Sequence, residues 1–143
     1  MFFKEIVPVQ DWEKERAKIL DFWQSRKVQF TTAGSDQLQG RRGSMLGNFL
    51  SFNMQKLATK VAIKKIDQNR FEFTMEVSSL FQHITQTNAE YWNLEIRTFK
   101  EFLSNGDLLE GEWADYQKRS RKNNILWVLS IVAAVVLIRI LAY

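Results

Sequence analysis

The chain has 143 residues, which allows one domain and a terminal segment rather than two full domains. Its formal net charge of +4 is moderate and spread along most of the chain, so it does not indicate a nucleic-acid-binding protein. Cysteine is absent, which excludes disulfides, thiol catalysis and cysteine-ligated zinc. Eleven phenylalanines and five tryptophans can fill much of a small core.

The N-terminal sequence MFFKEIVP does not fit an export signal. A signal peptide needs an apolar run of about 7–15 residues, whereas Lys4, Glu5 and Pro8 interrupt this one. We therefore expect no export signal at this end.

The segment Asp11–Lys27 is predicted to form an amphipathic helix. Asp11 can cap its first turn, and its apolar residues fall on one face: Trp12, Ile19, Leu20 and Trp23. The next segment, Lys27–Ala33, alternates and carries β-branched residues, which predicts a strand closed by a turn at residues 34–36.

The sequence Gly40-Arg41-Arg42-Gly43-Ser44 predicts an arginine-bearing loop. Glycines let a backbone approach a ligand closely, and two guanidiniums can fork onto a phosphate. The spacing is that of the clamp loop of KH modules, but the order of elements around it is not. We favour a plain connecting loop, and treat these five residues as the candidate lipid- or phosphate-contact site.

The run Met45–Met54 is richly apolar. It either completes the core, which we favour, or lies in the headgroup plane as an interfacial helix beside the two arginines.

A β-hairpin is predicted from Thr59–Ile66 and Arg70–Ser78, with a polar turn at residues 67–69. The second arm alternates without a fault, so one face should be buried and the other wet. An antiparallel sheet can expose one face to water in this way. The apolar residues of that arm are Phe71, Phe73, Met75 and Val77.

A second helix is predicted from a capping box at Thr87–Glu90 to Asn105-Gly106. Its apolar stripe consists of Ala89, Trp92, Ile96, Phe99 and Leu103. This stripe can cover the buried face of the hairpin. The predicted fold class is therefore α+β: a small antiparallel sheet covered by two amphipathic helices, followed by one C-terminal transmembrane helix.

Few residues suggest catalysis. His83 is the only histidine, so sites that need two histidines cannot exist. Glu72 and Glu76 lie on the wet face of the predicted hairpin, where ion pairing with Lys60 or Lys64 explains them. We expect no catalytic residue, no metal and no cofactor.

The segment Ile125–Tyr143 is predicted to cross a membrane. As a helix it spans about 28 Å, close to the hydrocarbon core of a bilayer. Arg139 lies near the chain end, where its guanidinium can reach the headgroups, and Trp127 and Tyr143 lie near the two interfaces. Ser130 and Ala134 form a weak small-residue motif of the kind that brings helices together.

Four basic residues precede this segment: Lys118, Arg119, Arg121 and Lys122. The positive-inside rule then places residues 1–124 in the cytoplasm. The predicted organisation is a soluble α+β domain at 1–106, an acidic-then-basic juxtamembrane linker at 107–124, and the transmembrane helix at 125–143.

These features favour a tail-anchored, non-enzymatic membrane protein whose cytoplasmic domain binds or scaffolds a membrane or cytoplasmic protein. The alternative is a module that binds lipid headgroups or an acyl chain at the membrane surface. An enzyme acting on a membrane substrate is less favoured, because titratable candidates are few. Nucleic acid is not an expected partner, whereas homo-oligomers are compatible with the sequence.

Overall fold

A computed structural model of the chain describes residues 1–44, 54–78 and 86–141. The chain divides into two compact units, Met1–Leu108 and Leu109–Tyr143. The first unit has an α+β fold with a five-stranded antiparallel sheet, as the sequence predicts for the fold class. The second unit consists of one long helix.

The strands of the first unit are β1 (Phe2–Pro8), β2 (Gln29–Ala33), β3 (Gln37–Arg42), β4 (Thr59–Asp67) and β5 (Arg70–Val77). The helices are α1 (Trp12–Ser25), a 3₁₀ turn (Met54–Lys56), α2 (Gln86–Asn105) and, in the second unit, α3 (Glu110–Leu141). The strand order is β1-β5-β4-β3-β2, so β1 and β2 form the two edges of the sheet.

The β4–β5 hairpin forms as predicted, with a bulge between Lys65 and Asp67. Alternate side chains of a strand point to opposite faces, and the inner face of β5 is at most 1% exposed. Its inner residues are Phe71, Phe73, Met75 and Val77.

Helices α1 and α2 cover this inner face. The Phe99 ring of α2 lies 5.2 Å from the Trp23 ring of α1 and 5.4 Å from the Phe73 ring of β5. Trp23 also stacks on Phe73 at 5.4 Å. These rings join both helices and the sheet in one core, because aromatic side chains bury large apolar areas.

Some of the predicted helix ends agree with the structure and one does not. The Asp11 carboxylate accepts a hydrogen bond from the Glu13 N–H at 3.1 Å, which confirms the predicted cap of α1. Helix α2 begins at Gln86, so the predicted cap at Thr87 already lies within the helix. At its other end Gly106 has a φ of +81°, the left-handed conformation expected there.

Two strands were not predicted. Residues Phe2–Pro8 form β1, paired with β5, and Gln37–Arg42 form β3, paired with β2 and β4. The predicted loop at Gly40–Ser44 is therefore wrong for its first three residues. His83 and residues 45–53 of the predicted apolar run lie outside the described residues.

Helix α3 runs without a break through the predicted boundary between linker and anchor at residues 124 and 125. The segment expected as a linker is helical from Glu110 onwards. Within the part of the chain that the structure describes, no helix combines the length and apolar character needed to cross a membrane.

Substitution of Gly43 tests how tightly the chain is packed next to β3, and Gly106 at the end of α2 serves as the comparison. Gly43 has a φ of +68°, and a Cβ there would overlap the Leu57 carbonyl, whereas a Cβ on Gly106 would meet no atom within 4 Å. We expect Gly43→Ala to lower the free energy of unfolding by about 3 kcal/mol or more, and Gly106→Ala by about 1–2 kcal/mol. Urea denaturation of a fragment of residues 1–108 measures both. Equal losses would contradict the packing described here.

Candidate functional site

The two glycines of the candidate phosphate-contact segment face the protein's own chain. A Cβ on Gly40 would lie 2.6 Å from the Val28 side chain and 3.1 Å from the Phe30 ring. Gly43 adjoins the backbone of Lys56 and Leu57 in the same way. The space that the glycines leave is therefore filled by neighbouring parts of the fold, which explains their spacing without a ligand.

The two arginines of this segment point to opposite faces of the sheet. Arg41 is exposed on the outer face, whereas Arg42 faces inward and is only 3% exposed. This is the consequence of placing consecutive residues in a strand. The two guanidiniums cannot fork onto one phosphate in this structure.

The inward guanidinium of Arg42 forms a two-pronged ion pair with Glu95 of α2. The Nη1–Oε1 distance is 2.6 Å and the Nη2–Oε2 distance is 2.5 Å, and both side chains are fully buried. The Tyr91 hydroxyl donates a further hydrogen bond to Glu95 Oε1 at 3.3 Å. Arg26, which follows α1, places its Nη1 3.8 Å from the same oxygen.

The surroundings shift the pKa of three groups in this cluster. Burial alone would lower the pKa of Arg42, but hydrogen bonds and the charge of Glu95 outweigh it and raise that pKa. Burial lowers the pKa of Arg26. Burial and the Glu95 charge raise the pKa of the Tyr91 hydroxyl, which therefore stays neutral.

This arrangement is a structural tie between β3, α1 and α2. Both oxygens of the Glu95 carboxylate accept hydrogen bonds from neighbouring side chains, and the carboxylate is fully buried, so its surroundings are those of a structural ion pair. Among the described residues, no three acidic or histidine side chains lie close enough together to hold a metal ion.

Neither Glu95 nor Tyr91 was predicted as a site residue, although the sequence contains a signal for Glu95. Glu95 lies three residues after Trp92 and four before Phe99, on the apolar stripe of α2. A charged residue at such a position is buried with the stripe and needs a partner of opposite charge. Which arginine supplies that partner depends on the pairing of β3, which a single sequence does not reveal.

The outer face of the sheet is polar and carries cross-strand ion pairs. Lys60, one of the two lysines predicted to pair with Glu72 or Glu76, places its Nζ 3.5 Å from Glu76. Glu72 pairs instead with Lys4 of β1 at 2.9 Å. Three rows cross β3, β4, β5 and β1 in register: Arg41-Lys60-Glu76-Phe2, Gln39-Ala62-Thr74-Lys4 and Gln37-Lys64-Glu72-Ile6.

Two large apolar side chains interrupt this polar surface at its β1 edge. Phe2 is 66% exposed and Ile6 is 60% exposed. Both side chains lie on the outer face, since they alternate with the inward residues Phe3, Glu5 and Val7. The outer face thus ends in an apolar border along the edge strand.

The predicted membrane-interface residues lie on α3. The four basic residues Lys118, Arg119, Arg121 and Lys122 are exposed, and so is Arg139. Tyr143 and the side chain of Trp127 lie outside the described part. Between the basic cluster and Arg139, and just beyond it, large apolar residues are 50–69% exposed: Ile125, Leu126, Leu129, Val132, Val136, Ile138 and Ile140.

A comparison with protein-family models finds no match to this chain, and a comparison with curated proteins finds no similar sequence.

The buried ion pair leads to a test of its structural role. We expect Arg42→Met to lower the free energy of unfolding by about 3–5 kcal/mol, because it leaves the Glu95 charge buried without its main partner. The double variant Arg42→Met with Glu95→Leu should regain most of that loss, since both charges are then removed together. Urea denaturation of residues 1–108 measures both. A double variant as unstable as the single one would show that the pair does not act as described.

Proposed function

We propose that the chain is a single-pass, tail-anchored membrane protein, and that its N-terminal α+β unit binds a partner protein in the cytoplasm without catalysing a reaction. The observation that carries this proposal is the exposed apolar surface of the second half of α3. Large apolar side chains are exposed there on consecutive turns, with only Ser130 as a polar residue among residues 125–138.

Exposing such an apolar surface to water is unfavourable in free energy, and burying it in lipid removes that cost. Seven large apolar side chains between Ile125 and Ile140 are at least half exposed. Moving each from water to lipid is worth about 1–2 kcal/mol, and together they supply on the order of 10 kcal/mol. Inside a helix the backbone polar groups bond one another, and the Ser130 hydroxyl donates to the Leu126 carbonyl at 2.8 Å.

The described residues alone contain no helix long and apolar enough to cross a membrane, and the proposed anchor extends beyond them. The described part, 125–141, is about 26 Å long as a helix, and the proposed anchor also includes Ala142 and Tyr143. Arg139 has little cost under this proposal, because its guanidinium can extend to the headgroups near that end. The exposed basic cluster at residues 118–122 supports a cytoplasmic position for the N-terminal unit.

A partner-binding role for the N-terminal unit is favoured by the exposed side chains on the outer face of its sheet. Helices α1 and α2 pack on the inner face, whereas the outer face carries exposed charged residues and an apolar border at Phe2 and Ile6. The lipid-headgroup alternative has weaker support, since Arg42 is buried against Glu95 and leaves only Arg41 accessible.

The anchor can be tested by membrane extraction. We expect the full-length chain, expressed in bacteria, to remain in the membrane pellet after alkaline carbonate washing. Leu129→Asp with Val136→Asp should release it, because two carboxylates in the hydrocarbon core cost several kcal/mol. Ala114→Asp with Gln117→Asp is the matched control, as it places the same two charges on exposed positions of the same helix outside the proposed anchor. Release of the unaltered chain by carbonate would overturn the proposal.

The orientation has its own test, which uses the absence of cysteine. In Gln24→Cys the only thiol lies at an exposed position of α1. We expect a membrane-impermeant maleimide to label it in inverted inner-membrane vesicles but not in intact spheroplasts. Labelling in spheroplasts alone would place the N-terminal unit on the other side and contradict the proposed topology.

A further inference from the structure

Strand β1 has one edge paired with β5 and a second edge, called the free edge here, that pairs with none of the described strands. At one end of its pairing with β5, the Met1 ammonium donates to the Val77 carbonyl and the Val77 N–H donates to the Met1 carbonyl, both at 2.8 Å. At the other end the Val9 N–H donates to the Asn69 carbonyl at 2.8 Å. Bonded pairs alternate along an antiparallel ladder. The odd-numbered residues of β1 therefore bond β5, and the even-numbered residues direct their N–H and C=O groups outward.

No described strand pairs with this outward edge, because β1 is the outermost strand of the sheet. The edge offers the N–H groups of Phe2, Lys4 and Ile6, and Pro8 ends the series because it has no N–H. The opposite edge, β2, is shorter and is bulged between Phe30 and Thr32. A bulge twists a strand edge away from further pairing, so β1 is the better template of the two.

The side chains along the free edge have a defined pattern. Phe2 and Ile6 are exposed apolar residues, and Lys4 lies between them on the same face. The Lys4 side chain is 54% exposed even though its Nζ pairs with Glu72 of β5 at 2.9 Å, so an ammonium on this edge remains accessible to a second carboxylate. A residue directly opposite in an added antiparallel strand would have its Cβ about 4.5–5.5 Å away. The edge therefore favours an acidic side chain opposite Lys4 and apolar side chains two positions to either side.

We propose that β1 is the docking edge for the partner protein, and that an extended segment of the partner with the pattern apolar-x-acidic-x-apolar adds to it as a sixth, antiparallel strand. This inference rests on the proposed partner-binding function and names the class of ligand. Main-chain hydrogen bonds supply the attraction, and Lys4 with its apolar neighbours supplies the selectivity.

A second copy of this chain fits the edge less well. When two copies of β1 pair in antiparallel fashion, the register that places Phe2 of one copy opposite Ile6 of the other also places the two Lys4 side chains opposite each other. Like charges directly opposite each other are destabilising. Moving the register to centre on Ile6 would bring Pro8 into the ladder, where it has no N–H to donate. The charge of Lys4 and the place of Pro8 thus disfavour self-pairing.

The test uses the full-length chain in detergent micelles and two end-blocked probe peptides, TVTETVT and TVTKTVT. We expect TVTETVT to bind and TVTKTVT to bind at least about ten-fold more weakly. Lys4→Glu should reverse this preference. The control is Lys60→Glu, since Lys60 also pairs with a glutamate on the outer face but lies on β4, away from the edge. Equal binding of both peptides by the unaltered chain, or an unchanged preference in Lys4→Glu, would overturn the proposal.

A second pair of variants tests the main-chain contribution. Ile6→Pro removes one outward N–H and leaves the β1–β5 ladder intact, because the donors of that ladder are odd-numbered residues. We expect it to weaken TVTETVT binding about five-fold relative to Ile6→Thr, which removes the same apolar side chain but keeps the N–H. Equal binding by the two variants would show that the peptide does not add to this edge.

The outcomes separate this inference from the proposed function. If the unaltered chain floats with phosphatidylcholine vesicles but ignores both peptides, the docking edge is refuted and the anchor stands. If it binds TVTETVT but does not float, the anchor is refuted and the docking edge stands. A chain that dimerises unless Ile6→Pro is introduced would replace the partner strand by a second copy and overturn the proposal.

Discussion

The alternation of side chains along each strand is the constraint on which the N-terminal unit depends. It directs one set of β5 residues into the aromatic core with Trp23 and Phe99 and the other set to the outer face. A shift of one residue in the register would exchange the two faces, so the register and the core support each other. The same alternation separates Arg41 from Arg42 and gives the two arginines different roles.

The alternation of side chains also directs two charged residues of the strands to the inner face. Arg42 and Glu5 both point to the inner face because their strands require it, and each is paired with a residue of α2. Lys100 meets Glu5 at 2.7 Å near the solvent, whereas Glu95 meets Arg42 in full burial. A buried pair adds little net stability compared with apolar residues but is costly to break. The Arg42–Glu95 pair therefore fixes the position of α2 on the sheet more than it adds to the free energy of unfolding.

The sequence was most informative where apolar residues repeat with the period of the strand or helix that contains them. The β5 strand and the apolar stripe of α2 were predicted because their buried positions are apolar. Strand β1 was missed, since its outer positions include the apolar Phe2 and Ile6 and its inner positions include Glu5, so the alternation is hidden. Strand β3 was missed for a related reason: Gly40 and Arg42 occupy inward positions without being apolar. The partner of Arg42 is 53 residues away along the chain, and such a distance cannot be read from local pattern.

Among the described strands, β1 is an outermost one, with one edge bonded to β5 and the other without a strand partner. Residue-resolved amide hydrogen exchange of the full-length chain in micelles, followed by NMR, tests this arrangement most directly. We expect slow exchange for Phe3, Glu5 and Val7, whose N–H groups bond β5, and much faster exchange for Lys4 and Ile6 between them. Equal protection along the strand would mean that another segment already covers this edge, and would contradict both the topology and the docking role assigned to it.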